Sequence, residues 1–179
     1  MICYNISTLF NRVQYQRGGD SIGVIIHDPL HELALAEELE SNGFSVSNDI
    51  KLLKKIKFGP EDWHHMLVNI ETDVSNPIEQ DSHPPEKGNL LYQTPGKSVE
   101  IYKRRFGLKR LGIGKSGGFR LIYVLAHNPA ETQSDYIIIP IHLYAKNQGQ
   151  HPKPDLTGDE LSRVKELANN IENDLYFNL

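Results

Sequence analysis

Apolar and polar positions alternate along the chain with two different periods, and the change of period marks the elements. Residues 20–27 (DSIGVIIH) carry Ile22, Val24, Ile25 and Ile26 in a short β-branched run, which predicts a buried strand. Asp28 and Pro29 then supply an N-cap and a first-turn proline, and Leu30, Leu33, Ala34 and Leu39 continue on a helical period up to Gly43. Pro60 opens a second helix over 60–73, with Trp63, Met66, Leu67 and Ile70 at i, i+3, i+4 and i+7. Between them, KLLKKIKF (51–58) suits a short helix or a strand equally. Three strands are expected at 98–106, 118–126 and 135–145, separated first by Gly112, Gly114, Gly117 and Gly118 and then by Asn128-Pro129. Pro140 lies inside the third and implies a bulge or an edge position. A last helix over 158–175 starts at the capping box Thr157/Glu160 and carries the stripe Leu161, Val164, Leu167, Ile171 and Leu175.

The order strand, helix, helix, three strands, helix implies an α+β domain. Short connections between consecutive strands imply an antiparallel sheet of three to four strands with helices packed on one face. Residues 1–19 form an N-terminal extension, and 20–179 a single domain. A long internal loop at 74–96 contains Pro77, Pro84, Pro85, Pro95, Gly88 and Gly96. A length of 179 residues allows one ordinary core and little more. With 39% hydrophobic and 23% charged residues, neither disorder nor a membrane class fits. The start, MICYNISTLFNRVQYQ, lacks the basic and apolar blocks of a secretory leader. The lone Cys3 excludes a disulfide framework and a multi-cysteine zinc site. A cytoplasmic protein is expected.

Charge changes the picture locally. Residues 97–125 hold eight Lys or Arg (Lys97, Lys103, Arg104, Arg105, Lys109, Arg110, Lys115, Arg120) against Glu100, a local +7 that leaves −11 for the rest of a chain whose total is −4. Phosphate contacts act over roughly a Debye length, about 8–10 Å, so the local excess is what a polyanion would meet. The competing reading is a solvated basic strand pair balanced by acidic helices nearby.

Most other constellations carry little chemistry. GIGKSGG (112–118) invites a phosphate-loop reading, but the glycine five residues before Gly114 is replaced by Lys109, and a strand rather than a helix follows. A glycine-rich hairpin turn is favoured. His27 and His31 stand at metal-chelating spacing without a clear third ligand, and no metal or other cofactor is expected. His64 and His65 diverge on a helix, one exposed and the other near Trp63. The basic strands differ. Alternation in IYKRRF puts Lys103 and Arg105 on one face and Tyr102 and Arg104 on the other. If the three strands are neighbours, Lys103, Arg105, Arg120 and Lys146 converge with His142 and Tyr144. Such a surface would hold a phosphodiester backbone, stack a base on Tyr144, and stabilise a phosphorane electrostatically.

The stretch EIYKRRFGLKRLGIGKSGGFRLIYVL, followed by IIIPIHLYAKNQ and DLTGDELSRVKELANNI, resembles the RelE/HigB superfamily, the toxins of type II toxin–antitoxin systems. Residues 98–171 carry the resemblance. It implies a RelE-like fold and a metal-independent mRNA endoribonuclease that blocks translation, in association with the ribosome. It also implies a cognate antitoxin, expected to carry a DNA-binding domain, and no membrane partner. By the resemblance, Arg120 and then Lys146 carry catalysis, with Lys103 and Arg105 as the paired basic residues; the base stays open among His142, Tyr144 and a lysine of lowered pKa. Lys109, Arg110 and Lys115 would bind RNA. The chain departs from the family in its length and its acidic remainder, which leaves a second reading open: a non-catalytic RNA- or protein-binding module on the same fold.

Overall fold

The computed structural model describes residues 24–75, 87–116, 118–127, 136–146 and 155–177. The extension at 1–19 and residues 76–86 of the 74–96 loop lie outside them. Strand β1 (Val24–Ile26) is followed by α1 (Leu33–Ser41), α2 (Val46–Leu53) and α3 (Pro60–Ser75). Then come β2 (Asn89–Gln93), β3 (Val99–Phe106), β4 (Phe119–His127), β5 (Tyr136–Ala145) and α4 (Gly158–Phe177).

α1 starts later than Asp28-Pro29 implies. Asp28 Oδ1 accepts the Leu30 N–H at 2.9 Å and the Asp28 carbonyl accepts the His31 N–H at 2.9 Å, so residues 28–31 close a turn instead. The Trp63 indole N–H donates to both Asp28 carboxylate oxygens, at 3.1 and 3.2 Å, and pins that turn to α3. The stripe shifts accordingly: Leu35 and Leu39 are buried, while Leu33 is 75% exposed. Gly43 ends α1 as expected, in the left-handed region at φ +79°. KLLKKIKF resolves as the end of α2 and a 3-10 turn at Lys54–Ile56, with Val46, Ile50 and Leu53 buried. α3 buries Trp63, Met66, Leu67 and Ile70, as its period requires.

The sheet has five strands in the order β1-β5-β4-β3-β2. β1 runs parallel to β5, and the other neighbours are antiparallel. Two expectations are corrected here. The sheet is mixed and larger than three to four strands, because Asn89–Gln93, inside the stretch read as loop, pairs with β3. Helices also cover both faces rather than one. β4 is apolar at odd and even positions alike: Phe119, Leu121, Tyr123 and Leu125 pack with residues of α2 and α3, while Ile122, Val124 and Ala126 pack with residues of α1 and α4. A strand buried on both sides needs a layer on each.

Pro140 marks a bulge. Ile122 pairs with His142 and Tyr123 with Pro140, which leaves Ile141 as the extra residue. The register of β1 on β5 ends at Ile138, and α2 covers the β5 edge beyond it. There the Asp49 carboxylate accepts the Leu143 N–H at 2.8 Å. At the start of α4 the capping box forms as read: the Glu160 N–H donates to Thr157 Oγ1, and Glu160 Oε2 accepts the Thr157 N–H at 2.8 Å.

Candidate nucleic-acid interface

The strand register builds one cationic row. Arg105 of β3 pairs with Arg120 of β4, which pairs with Tyr144 of β5. One step further in, Lys103 pairs with Ile122 and Ile122 with His142. Val99 and Ile101, four and two residues before Lys103, pack with α4, so alternation sets Lys103 and Arg105 toward the α1/α4 face. Arg104 faces the other way. It pairs with Asp73, donates to the Asn69 carbonyl at 3.3 Å, and lies 5.1 Å over the Phe106 ring. Of the residues expected to converge, the register brings Lys103, Arg105, Arg120, His142 and Tyr144 together, and Lys146 lies just beyond its last pair.

Their environments differ sharply. Arg120 is 3% exposed and spends its guanidinium on backbone carbonyls. Nη1 donates to Lys115 and Phe119 at 3.0 Å and to Gly118 at 3.3 Å, and Nη2 to Ser116 at 2.9 Å. Burial, and then the neighbouring Arg105 charge, lower its pKa, while Tyr144 and Asp155 act against them. Arg120 thus staples the β3–β4 connection from beneath. The glycines of that connection have a steric role as well: a Cβ on Gly118 would strike the Phe106 carbonyl. The segment leads into strand β4, so it holds no helix N-terminus for a phosphate. Arg105, by contrast, is exposed and has no acidic partner among the described residues.

Asp155, just before α4, sits among these groups. Its two oxygens accept from Lys103 Nζ at 2.9 and 2.8 Å, and Oδ1 also accepts the Tyr144 hydroxyl at 3.2 Å and the Leu156 N–H at 2.9 Å. Burial pushes the Asp155 pKa up, but the Lys103 hydrogen bond and its other donors pull it lower still, to a net value below the ordinary one. Tyr144 is pushed the other way, well above an ordinary tyrosine, by burial first and then by the Asp155 charge and hydrogen bond. A phenol so raised is a donor at neutral pH and a poor base. His142 is oriented differently: its Nδ1 lies 2.8 Å from Asp49 Oδ2, and its ring stacks on Tyr144 at 5.4 Å and 28°. The Asp49 carboxylate fixes the orientation of the ring through Nδ1.

The remaining cations spread out. Arg110 turns toward α3, where Nε donates to Asp62 Oδ1 at 2.8 Å and Nη2 to the Lys57 carbonyl at 2.7 Å. It is therefore not gathered with Lys109 and Lys115, which are exposed on the β3–β4 connection. Lys146 follows β5 directly and is half-buried, its backbone N–H donating to the Gly118 carbonyl at 3.1 Å. The histidines outside the row form no cluster. His27 is buried with Nδ1 2.9 Å from Glu32, and His31 is exposed. His64 and His65 are both exposed, so neither packs beside Trp63. Among the described residues, no group of three or more His, Cys, Asp or Glu is arranged to hold a metal, and no helix is long and apolar enough to cross a membrane.

Sequence reasoning missed two carboxylates of this region. Asp155 carried a faint signal, as the first residue of the acidic DLTGDE run. Asp49 carried none, since 93 residues separate it from His142. Comparison with protein-family models, with curated proteins and with solved structures gives no match for this chain.

Proposed function

We propose that this chain is an mRNA endoribonuclease of the RelE/HigB toxin kind, acting without a metal at the ribosome and restrained by a cognate antitoxin with a DNA-binding domain. The observation that supports it most is the cross-strand row Arg105–Arg120–Tyr144, with Lys103 and His142 one pair away on the same face. A phosphodiester laid along this row meets the exposed Arg105 first. In the reaction, the ribose 2′-oxygen attacks phosphorus and the P–O5′ bond breaks, giving a 2′,3′-cyclic phosphate and a 5′-hydroxyl. His142 Nε2 takes the 2′-hydroxyl proton, Asp49 holds the ring, and the leaving oxygen takes a proton from water. Arg105 supplies the charge that a crowded phosphorane needs. Arg120 shapes the turn and adds its field from below.

The second reading is a non-catalytic RNA- or protein-binding module. It is favoured by the four carbonyls that already occupy the Arg120 guanidinium. One experiment separates the two. Full-length protein is incubated with end-labelled mRNA, alone in the presence of a chelator and, in a separate arm, with ribosomes in magnesium buffer. Fragments with cyclic-phosphate ends, formed on the order of 10²–10³ times more slowly by Arg105→Ala, are the expected result. Binding without fragments supports the module. Neither binding nor cleavage removes both readings.

A further inference from the structure

We infer that Lys103 and the Tyr144 hydroxyl form a phosphate subsite, and that the Asp155 carboxylate holds it closed by standing where the phosphate would lie. This inference rests on the RNA-directed reading above. A phosphodiester presents two non-bridging oxygens and one negative charge, and so does a carboxylate. Asp155 takes the donors such a phosphate would use: Lys103 Nζ through both oxygens, at 2.9 and 2.8 Å, and the Tyr144 O–H at 3.2 Å. Those donors lie on the face that also carries Arg105 and Arg120, so a phosphate bound there would be inside the cationic row.

Exposure shows which partner can leave. The Asp155 side chain is 58% exposed, whereas Lys103 is 13% exposed and held against the sheet. A carboxylate so open to water moves into solvent at little cost, and the pair it makes is weak. The ammonium stays in place. Nor does α4 require Asp155 as a cap. Thr157 and Glu160 already satisfy the first turn reciprocally, and Asp155 adds only the Leu156 N–H, which lies before the helix. What remains for this carboxylate is occupation of Lys103 and Tyr144.

The test uses the full chain and a single-stranded 20-nucleotide RNA of mixed sequence, with affinity read by fluorescence anisotropy. Asp155→Asn keeps an oxygen for the Leu156 N–H and the Tyr144 hydroxyl but removes the charge that holds Lys103. It should tighten binding about tenfold at about 50 mM salt and steepen the log–log salt slope by about 0.7. Asp159→Asn, an equal charge change at an exposed position of α4 with no hydrogen bond or ion pair to Lys103 or Tyr144, should change affinity less than about threefold. In a Lys103→Met background the gain from Asp155→Asn should vanish. Equal gains from Asp155→Asn and Asp159→Asn would show a bulk charge effect and overturn the inference. So would an unchanged or weakened Asp155→Asn protein beside a wild type that binds RNA, and the functional reading would then survive. If neither the wild type nor any variant binds RNA, the functional reading fails and takes the subsite with it.

Discussion

Arg104 and Arg105 are neighbours in β3 and face opposite sides of the sheet, and the two sides use a guanidinium differently. On the α2/α3 face Arg104 is 7% exposed, ion-paired to Asp73 and laid over Phe106. Arg110 reaches the same helix through Asp62. These cations fasten α3 to the sheet and its connection, and their charge is spent. On the α1/α4 face Arg105 stays exposed, and among the described residues Lys103 is balanced by one exposed carboxylate, Asp155. The lesson is that +7 over residues 97–125 overstates what a polyanion meets. Three of its eight cations, Arg104, Arg110 and Arg120, are structural, and the exposed part facing the α1/α4 side is what binding can use.

The largest effect that would sharpen this contrast belongs to the row's one buried cation. Arg120→Ala strips a side-chain donor from the Lys115, Ser116, Gly118 and Phe119 carbonyls, of which Gly118 keeps the Lys146 N–H. It should cost about 3 kcal/mol in urea unfolding, mostly from unsatisfied backbone groups. Weaker RNA binding by that variant therefore reports a collapsed turn as much as a missing guanidinium. A cost below about 1 kcal/mol would show that the carbonyls find water and that the staple is dispensable.

Arg104→Ala comes next. Removing one partner of a mostly buried pair leaves Asp73 uncompensated, but Asp73 is 29% exposed and partly rehydrates. About 2 kcal/mol of stability should go, below the range of fully buried pairs. RNA affinity per folded molecule should not change.

A graded effect with pH follows. Burial raises the Asp62 and Glu172 pKa values, but hydrogen bonds outweigh it: Arg110 and the Gly59 N–H at Asp62, Thr94 with the Gly96 and Ser98 donors at Glu172. Both end below the ordinary carboxylate value. A depressed folded pKa contributes stability that is present above the unfolded pKa and lost as pH falls through the folded one. Urea midpoints should hold from neutral pH down to about 5 and then decline, since unfolded carboxylates titrate near about 4. Glu172→Gln should make that decline shallower. An unchanged acid limb in that variant would remove Glu172 from the account.

How much of this was legible depends on distance along the chain. Strand alternation is local, so sequence reasoning could expect Lys103, Arg105, Arg120 and Lys146 to share a surface if the strands were neighbours, while the Arg105–Arg120–Tyr144 register came from the sheet. The continuous apolar runs in FRLIYVLA and YIIIPIHLY already carried the two-sided burial, since a half-exposed strand would alternate. The one-face expectation came from strand order alone and overlooked those runs. β2 was hidden because NLLYQ is short and follows a proline-rich stretch. The carboxylates that decide which cations are available, Asp49, Asp62, Asp73 and Asp155, lie outside the basic segment and meet it only through tertiary packing. A charge count cannot see them.

The smallest effect on stability belongs to Arg105→Ala, within about 0.5 kcal/mol of wild type because the side chain is exposed and meets no acid among the described residues. The same variant carries the most direct test of the contrast between the faces: the salt dependence of RNA binding by wild type, Arg105→Ala and Arg104→Ala. Each phosphate that a variant no longer neutralises on a single strand flattens the log–log slope by about 0.7. The account predicts that flattening for Arg105→Ala and an unchanged slope for Arg104→Ala. Equal slopes in all three proteins, or a flattening caused by Arg104→Ala alone, would contradict it.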